Sequence, residues 1–136
     1  MTQEEKLLVK KELSARAFYG VKAHYQYYDF VGGSERLVYE KDGVVKSVDI
    51  SLRNPVYIDG IHAEVEHTKP YLRPMSSMTE EEKKEYDQLR YDPWHSHYDE
   101  NICSKVLDWL NSHHFDYRGL IEMGLAIEAP EGMCNV

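Results

Sequence analysis

The first residues of the chain carry the signals of an amphipathic helix. Thr2 and Glu5 match a capping box, in which a hydroxyl and a carboxylate each satisfy a backbone N–H group of the other residue. Apolar side chains then recur every fourth residue at Val9, Leu13 and Ala17. The sequence therefore predicts a helix over residues 3–16, within an N-terminal helical segment of residues 1–18.

After residue 20 the apolar period shortens to two, which is typical of a strand with one buried face. Val21, Ala23, Tyr25 and Tyr27 begin this alternation. Turn signals then separate short alternating segments at Gly32-Gly33, Asp42-Gly43 and Asp59-Gly60. The pattern predicts five short consecutive strands between residues 19 and 68.

Five short strands bury little apolar surface as a flat sheet, and they tend to curl into a small barrel. We therefore expect an α+β protein with an N-terminal helix, a small five-stranded antiparallel barrel and two or three C-terminal helices. An SH3-like barrel is preferred because the turns are short, and an OB-like barrel is the alternative. The whole chain, residues 1–136, would form one domain, with the barrel at 19–68 and a linker and helical part at 69–136 packed on it.

The second half of the chain is predicted to be an extended linker followed by helices. Prolines at both ends of the segment 70–74 disfavour the helical conformation. Thr79 and Glu82 form a second capping box, which predicts a surface helix to about Leu89. An apolar stripe indicates a stronger helix over residues 100–112.

A short last helix is also expected. Asp116 has the side chain of a helix N-cap, and Gly124 is suited to end a helix. The pattern predicts a helix from Asp116 through Met123.

Composition and charge exclude several classes of protein. The 136 residues are 12% aromatic, which is too much for a disordered chain. No apolar run approaches the ~20 residues of a spanning helix, and the charged N-terminus does not resemble a signal peptide, so we expect a cytoplasmic protein with no membrane partner. The net charge is −8, and residues 71–136 hold thirteen acidic and six basic side chains. Such a surface repels nucleic acid, and it suits solubility, a basic protein partner or mimicry of nucleic acid, of which solubility is the simplest interpretation.

Two longer stretches resemble a known group of proteins. The first is KPYLRPMSSMTEEE, from Lys69 to Glu82, and the second is DWLNSHHFDYRGLIE, from Asp108 to Glu122, continued by GLAIEAP to Pro130. They are similar to small uncharacterised proteins encoded by phages, prophages and mobile elements of gut anaerobic bacteria. That family has no assigned activity. The resemblance implies a cytoplasmic accessory protein of a mobile element, and it implies no site residues.

The candidate metal ligands are His95, His97 and Asp99, in an aromatic loop. Imidazole and carboxylate groups at this spacing suit zinc or a similar divalent ion. The alternative is a polar surface loop, because no established metal motif accompanies the pair of histidines. No other cofactor is predicted, since the chain has neither a phosphate-binding glycine loop nor a nucleophile elbow.

Tyrosines of the predicted barrel are the candidate binding residues. Tyrosine provides rigid amphipathic contact area, and small barrels use such side chains to bind peptides or bases. The alternative is that several of them pack in the core, since aromatic residues are enriched in strands. The set consists of Tyr25, Tyr27, Tyr28, Tyr39 and Tyr57.

These features favour a non-enzymatic module that binds a protein partner through the barrel tyrosines or the acidic helical half. A metal-dependent hydrolase that uses His95 and His97 is one alternative. A nucleic-acid-binding barrel is another, and it requires the basic side chains of the strands to share one face. Those side chains are Lys22, Arg36, Lys41, Lys46 and Arg53.

Overall fold

The computed structural model of the chain describes residues 1–49, 55–90 and 100–133, which form an α+β arrangement. Its helices are α1 (Gln3–Ala17), α2 (Glu80–Arg90) and α3 (Glu100–Ser112). Its strands are β1 (Lys22–Val31), β2 (Ser34–Val48), β3 (Pro55–Ile58), β4 (Ile61–Glu64), β5 (Thr68–Pro74), β6 (Phe115–Asp116) and β7 (Ile127–Glu128). Among these residues, no helix combines the length and the apolar character needed to cross a membrane.

The N-terminal helix forms as its sequence predicts, and α1 extends one residue further. The Thr2 hydroxyl accepts a hydrogen bond from the Glu5 N–H at 3.0 Å, and the Glu5 carboxylate accepts one from the Thr2 N–H at 2.8 Å. Val9 and Leu13 on the same helix are fully buried. The predicted helix at residues 100–112 coincides with α3.

The strands form one mostly antiparallel sheet in the order β4-β3-β2-β1-β5-β6, with β7 also paired to β5. β1 and β2 are a long hairpin around the predicted Gly32-Gly33 turn, and the end of β2 continues into the pairing with β3. A 3-10 turn, Val65–His67, leads from β4 to β5, which returns antiparallel to β1. β6 and β7 both run parallel to β5. The sheet is open, and closure into a barrel is not shown.

The predicted turn at Asp42-Gly43 is wrong, because β2 runs through it as one strand. Gly43 pairs with Ala23, and Asp42 pairs with His24. A Cβ atom added to Gly43 would lie 2.7 Å from Cγ of Asp59, so a larger residue here would displace the Asp59 carboxylate. The second and third predicted strands are therefore a single strand.

Two predictions in the second half are also wrong. Residues 69–74, predicted as a linker, form most of β5, which is extended but paired on both sides. The short helix predicted from Asp116 is a series of turns. Gly119 has φ +78°, a left-handed conformation that an α-helix excludes. The Asp116 carboxylate still accepts hydrogen bonds from the N–H groups of Leu120 and Ile121, at 2.8 and 3.0 Å.

The core lies between α1 and the sheet, and it contains a buried charge. Arg16 is fully buried, and its Nη1 contacts the Glu12 carboxylate one turn earlier. Its Nη2 donates to the carbonyl oxygen of Phe115 at 2.6 Å. The Arg118 Nε lies 2.5 Å from the second oxygen of Glu12. This ionic cluster joins the N-terminal helix to the strand that follows α3.

Replacing Gly43 with alanine tests the close packing of β2 against the β3–β4 turn. We expect Gly43→Ala to lower the free energy of unfolding by about 1–3 kcal/mol, because the new methyl group overlaps the Asp59 carboxylate. Urea denaturation measures the change. In an Asp59→Ala background the same substitution should cost much less, and an equal cost in both backgrounds would contradict this packing.

Candidate functional site

A cleft with a volume of about 620 Å³ lies between the end of β5, the start of α2, the end of α3 and the chain after β7. Arg73, Glu82 and His113 form its inner surface, with exposed fractions of their side chains between 14% and 23%. The exposed residues Glu128 and Glu131 also line it. The lining comes from two segments, residues 73–82 and 113–132, which are far apart along the chain.

Glu82 is held from two sides. Arg73 donates two hydrogen bonds to its carboxylate, at 2.8 and 2.7 Å, and the Thr79 N–H donates a third at 2.9 Å. The second predicted capping box is therefore present, and its glutamate also pairs with an arginine. The hydrogen bonds from Arg73 lower the pKa of Glu82 to about 2, against the opposing effect of burial.

His113 completes this set from the last turn before β6. Its Nδ1 lies 3.3 Å from the Glu82 carboxylate, so Nε2 is the ring nitrogen turned away from it. The imidazole packs on Trp109, with ring centroids 4.4 Å apart, and the Arg73 guanidinium lies 4.3 Å from the centroid of Phe115. These aromatic contacts restrict the orientation of both side chains.

The neighbouring His114 does not belong to the cleft. It is buried, with 6% of its surface exposed, and its backbone carbonyl accepts a hydrogen bond from the Arg73 N–H at 2.8 Å. Burial lowers the pKa of His114 to about 4, and nearby positive charges add to this effect. His114 is therefore a neutral structural residue at neutral pH.

The hydroxyl groups in the cleft lining are used structurally. The Ser77 hydroxyl donates to the Pro74 carbonyl oxygen at 2.7 Å, and the Thr79 hydroxyl accepts from the Glu82 N–H at 3.1 Å. Neither hydroxyl is paired with His113 in the manner of an activated nucleophile. Both hydroxyl groups therefore stabilise the backbone that leads into α2.

The predicted metal ligands His95, His97 and Asp99 lie outside the described residues.

The five tyrosines are described, and the structure divides them between two faces of the sheet. Tyr25 is fully buried and donates to the Asp59 carboxylate at 2.9 Å; burial and this hydrogen bond raise its pKa. Tyr27 and Tyr39 are cross-strand partners that stack at 5.3 Å and pack half-buried against the core.

Tyr28 and Tyr57 face away from Tyr25, Tyr27 and Tyr39. The Tyr28 ring lies 4.3 Å from the ring of His67, and the Tyr57 ring lies 4.4 Å from that of His62. Tyr57 alternates with the buried residues of β3, so it points to the outer side. The five tyrosines therefore do not form one continuous surface.

The basic side chains of the strands are also divided. Lys41 and Arg36 form ion pairs with Asp59 and Asp29, at 3.6 and 3.4 Å. Strand alternation places Lys22 on the opposite face of β1 from the buried Ala23, and Lys46 is exposed and follows the buried Val45 on β2. Arg53 lies outside the described residues. The single basic face that nucleic-acid binding requires is not formed by Lys22, Arg36 and Lys41.

Sequence patterns alone did not identify the cleft. The capping box singled out Glu82 as a helix-end residue, and no motif connected it with Arg73 or His113. The sequence also did not predict the exposed end of the β1–β2 hairpin, where Phe30 is 76% exposed.

No protein-family model matches the chain, and neither a curated protein nor a solved structure is significantly similar to it.

The low pKa of Glu82 predicts a specific pH dependence of stability. Its folded-state pKa of about 2 lies below the ordinary value of 4.5, so its contribution is present above pH 4.5 and is lost as the pH falls towards 2. We expect Glu82→Gln to cost about 2 kcal/mol near neutral pH and progressively less at acid pH. Urea denaturation across this range measures the difference.

The matched control is Glu81→Gln, which neutralises the adjacent exposed glutamate of α2. It should change stability by less than about 0.5 kcal/mol at every pH. A cost of Glu82→Gln that does not change with pH would contradict the pairing with Arg73.

Proposed function

We propose that this protein is a non-enzymatic interaction module whose cleft binds a basic segment of a protein partner. The observation that carries the proposal is the charge distribution of the cleft. Arg73, the lining guanidinium, directs both terminal nitrogens to Glu82, whereas Glu128 and Glu131, which also line the cleft, are exposed. The cleft thus offers carboxylates to an incoming cation.

Shape and rigidity support binding of a segment rather than of an isolated ion. A volume of about 620 Å³ accommodates several side chains. Pro74 and Pro130 form part of the walls, and the proline rings restrict backbone motion there. A preorganised site loses less conformational entropy when it binds a ligand.

The charge of the chain favours the same class of partner. Residues 71–136 carry a large excess of carboxylates. Long-range attraction would steer a lysine-rich or arginine-rich segment to this half and would repel a phosphate backbone. A protein partner is therefore favoured over nucleic acid.

We also propose the type of barrel that the strands form and the biological context of the protein. Successive strands β1 to β4 are neighbours, and β5 returns to β1 after a single 3-10 turn, an order that supports a small SH3-like barrel over an OB-like one. The family resemblance supports a role as an accessory protein of a phage or another mobile element, acting in the cytoplasm.

A labelled arginine-glycine repeat peptide tests binding in the cleft. We expect fluorescence anisotropy to show salt-sensitive binding that weakens about tenfold in the double variant Glu128→Gln/Glu131→Gln, because two exposed carboxylates of the cleft are removed. The control is Glu4→Gln/Glu122→Gln, which removes two exposed carboxylates that do not line the cleft.

The control should bind the peptide within about twofold of the unmodified protein, since screened surface charges contribute little at a distance. Failure of the unmodified protein to bind, or an equal loss in both double variants, would contradict the proposal. Binding of duplex DNA in place of the peptide would favour the nucleic-acid alternative.

A further inference from the structure

A second group of ligand-type side chains lies outside the cleft lining. Glu35 is at the start of β2, Glu64 ends β4, and His67 ends the 3-10 turn that follows. One carboxylate oxygen from each glutamate and one imidazole nitrogen lie within 4.8 Å of one another. Three separate elements of the fold therefore bring these groups to one point.

The distances within this group do not fit hydrogen bonds. His67 Nε2 lies 3.5 Å from the Glu35 carboxylate and 3.9 Å from those of both Glu64 and Glu66. A hydrogen bond from a ring N–H is shorter, about 2.7–3.2 Å, and the single N–H of Nε2 cannot serve three acceptors. Two ligands at tetrahedral positions, each ~2.1 Å from one zinc ion, are ~3.4 Å apart. The 3.5 Å separation of His67 Nε2 and Glu35 matches this spacing, and Glu64 would have to move about 0.5 Å closer to His67 when the ion binds.

From this geometry we propose that Glu35, Glu64 and His67 form a binding site for a divalent cation of the zinc type. One imidazole and two carboxylates are a ligand set that zinc accepts, and Glu66 is close enough to supply a fourth ligand or to orient the others. The ion would join the β1–β2 hairpin to the turn between β4 and β5.

Neighbouring contacts orient the proposed ligands. The ring of Tyr28 lies 4.3 Å from the ring of His67, and Lys6 forms an ion pair with Glu66 at 3.3 Å.

His24 provides an instructive contrast within the same sheet. It also has two carboxylate neighbours, but its Nδ1 faces Asp42 at 2.9 Å, and its Nε2 faces Glu40 at 3.4 Å. Because the two ring nitrogens point in different directions, these carboxylates cannot share one ion with a single nitrogen of His24. At His67 all three carboxylates converge on the same nitrogen.

Isothermal titration of the full chain with zinc chloride tests the site. We expect one zinc equivalent to bind at neutral pH, with affinity reduced at least about tenfold in His67→Gln and in Glu64→Gln. The control His24→Gln should bind as the unmodified protein does. Circular dichroism without metal identifies any variant that fails to fold, in which case Glu35→Gln replaces it.

The variant His95→Gln/His97→Gln distinguishes this site from the loop histidines predicted as ligands. We expect it to retain the zinc equivalent that His67→Gln loses. The proposal is overturned if no zinc binds at millimolar concentration, or if His67→Gln, Glu64→Gln and Glu35→Gln all bind zinc as tightly as the unmodified protein.

Discussion

The buried guanidinium of Arg16 links the N-terminal helix to the segment that follows α3, beside the core residues that the two parts share. Removing such a charge from water costs several kcal/mol, and only well-placed partners offset that cost. Arg16 has these partners in the Glu12 carboxylate on its own helix and in the Phe115 carbonyl oxygen at 2.6 Å. Arg118 contacts the same glutamate, and the Tyr117 ring centroid lies 5.2 Å from the guanidinium carbon of Arg16. The C-terminal segment is therefore fixed against α1.

The position of that segment determines the cleft. Once Phe115 is fixed, the backbone beside it pairs with β5, where the Arg73 N–H donates to the His114 carbonyl oxygen at 2.8 Å. The same pairing places His113 next to Glu82 and leaves Arg73 over the Phe115 ring. The inner surface of the cleft thus depends on a contact made by the N-terminal helix, and the proposed binding function depends on the same contact.

Sequence patterns predicted the features that depend only on residues close together along the chain. Both capping boxes and the Gly32-Gly33 turn form between residues at most a few positions apart, so local signals suffice for them. Asp42-Gly43 has an equally good local turn signal, but pairing with β1 and packing against Asp59 override it. The cleft could not be predicted in this way, because its lining is assembled by tertiary pairing of distant segments. The separation of the five tyrosines likewise follows from strand register, which composition does not determine.

Chemical denaturation of Arg16→Met tests most directly whether Arg16 holds α1 and the C-terminal segment together. The matched control is Lys11→Met, the same type of substitution at an exposed position of the same helix. We expect Arg16→Met to lower the free energy of unfolding by about 3–5 kcal/mol, whereas Lys11→Met should change it by less than about 0.5 kcal/mol. Equal stability of the two variants would show that Arg16 does not hold α1 and the C-terminal segment together.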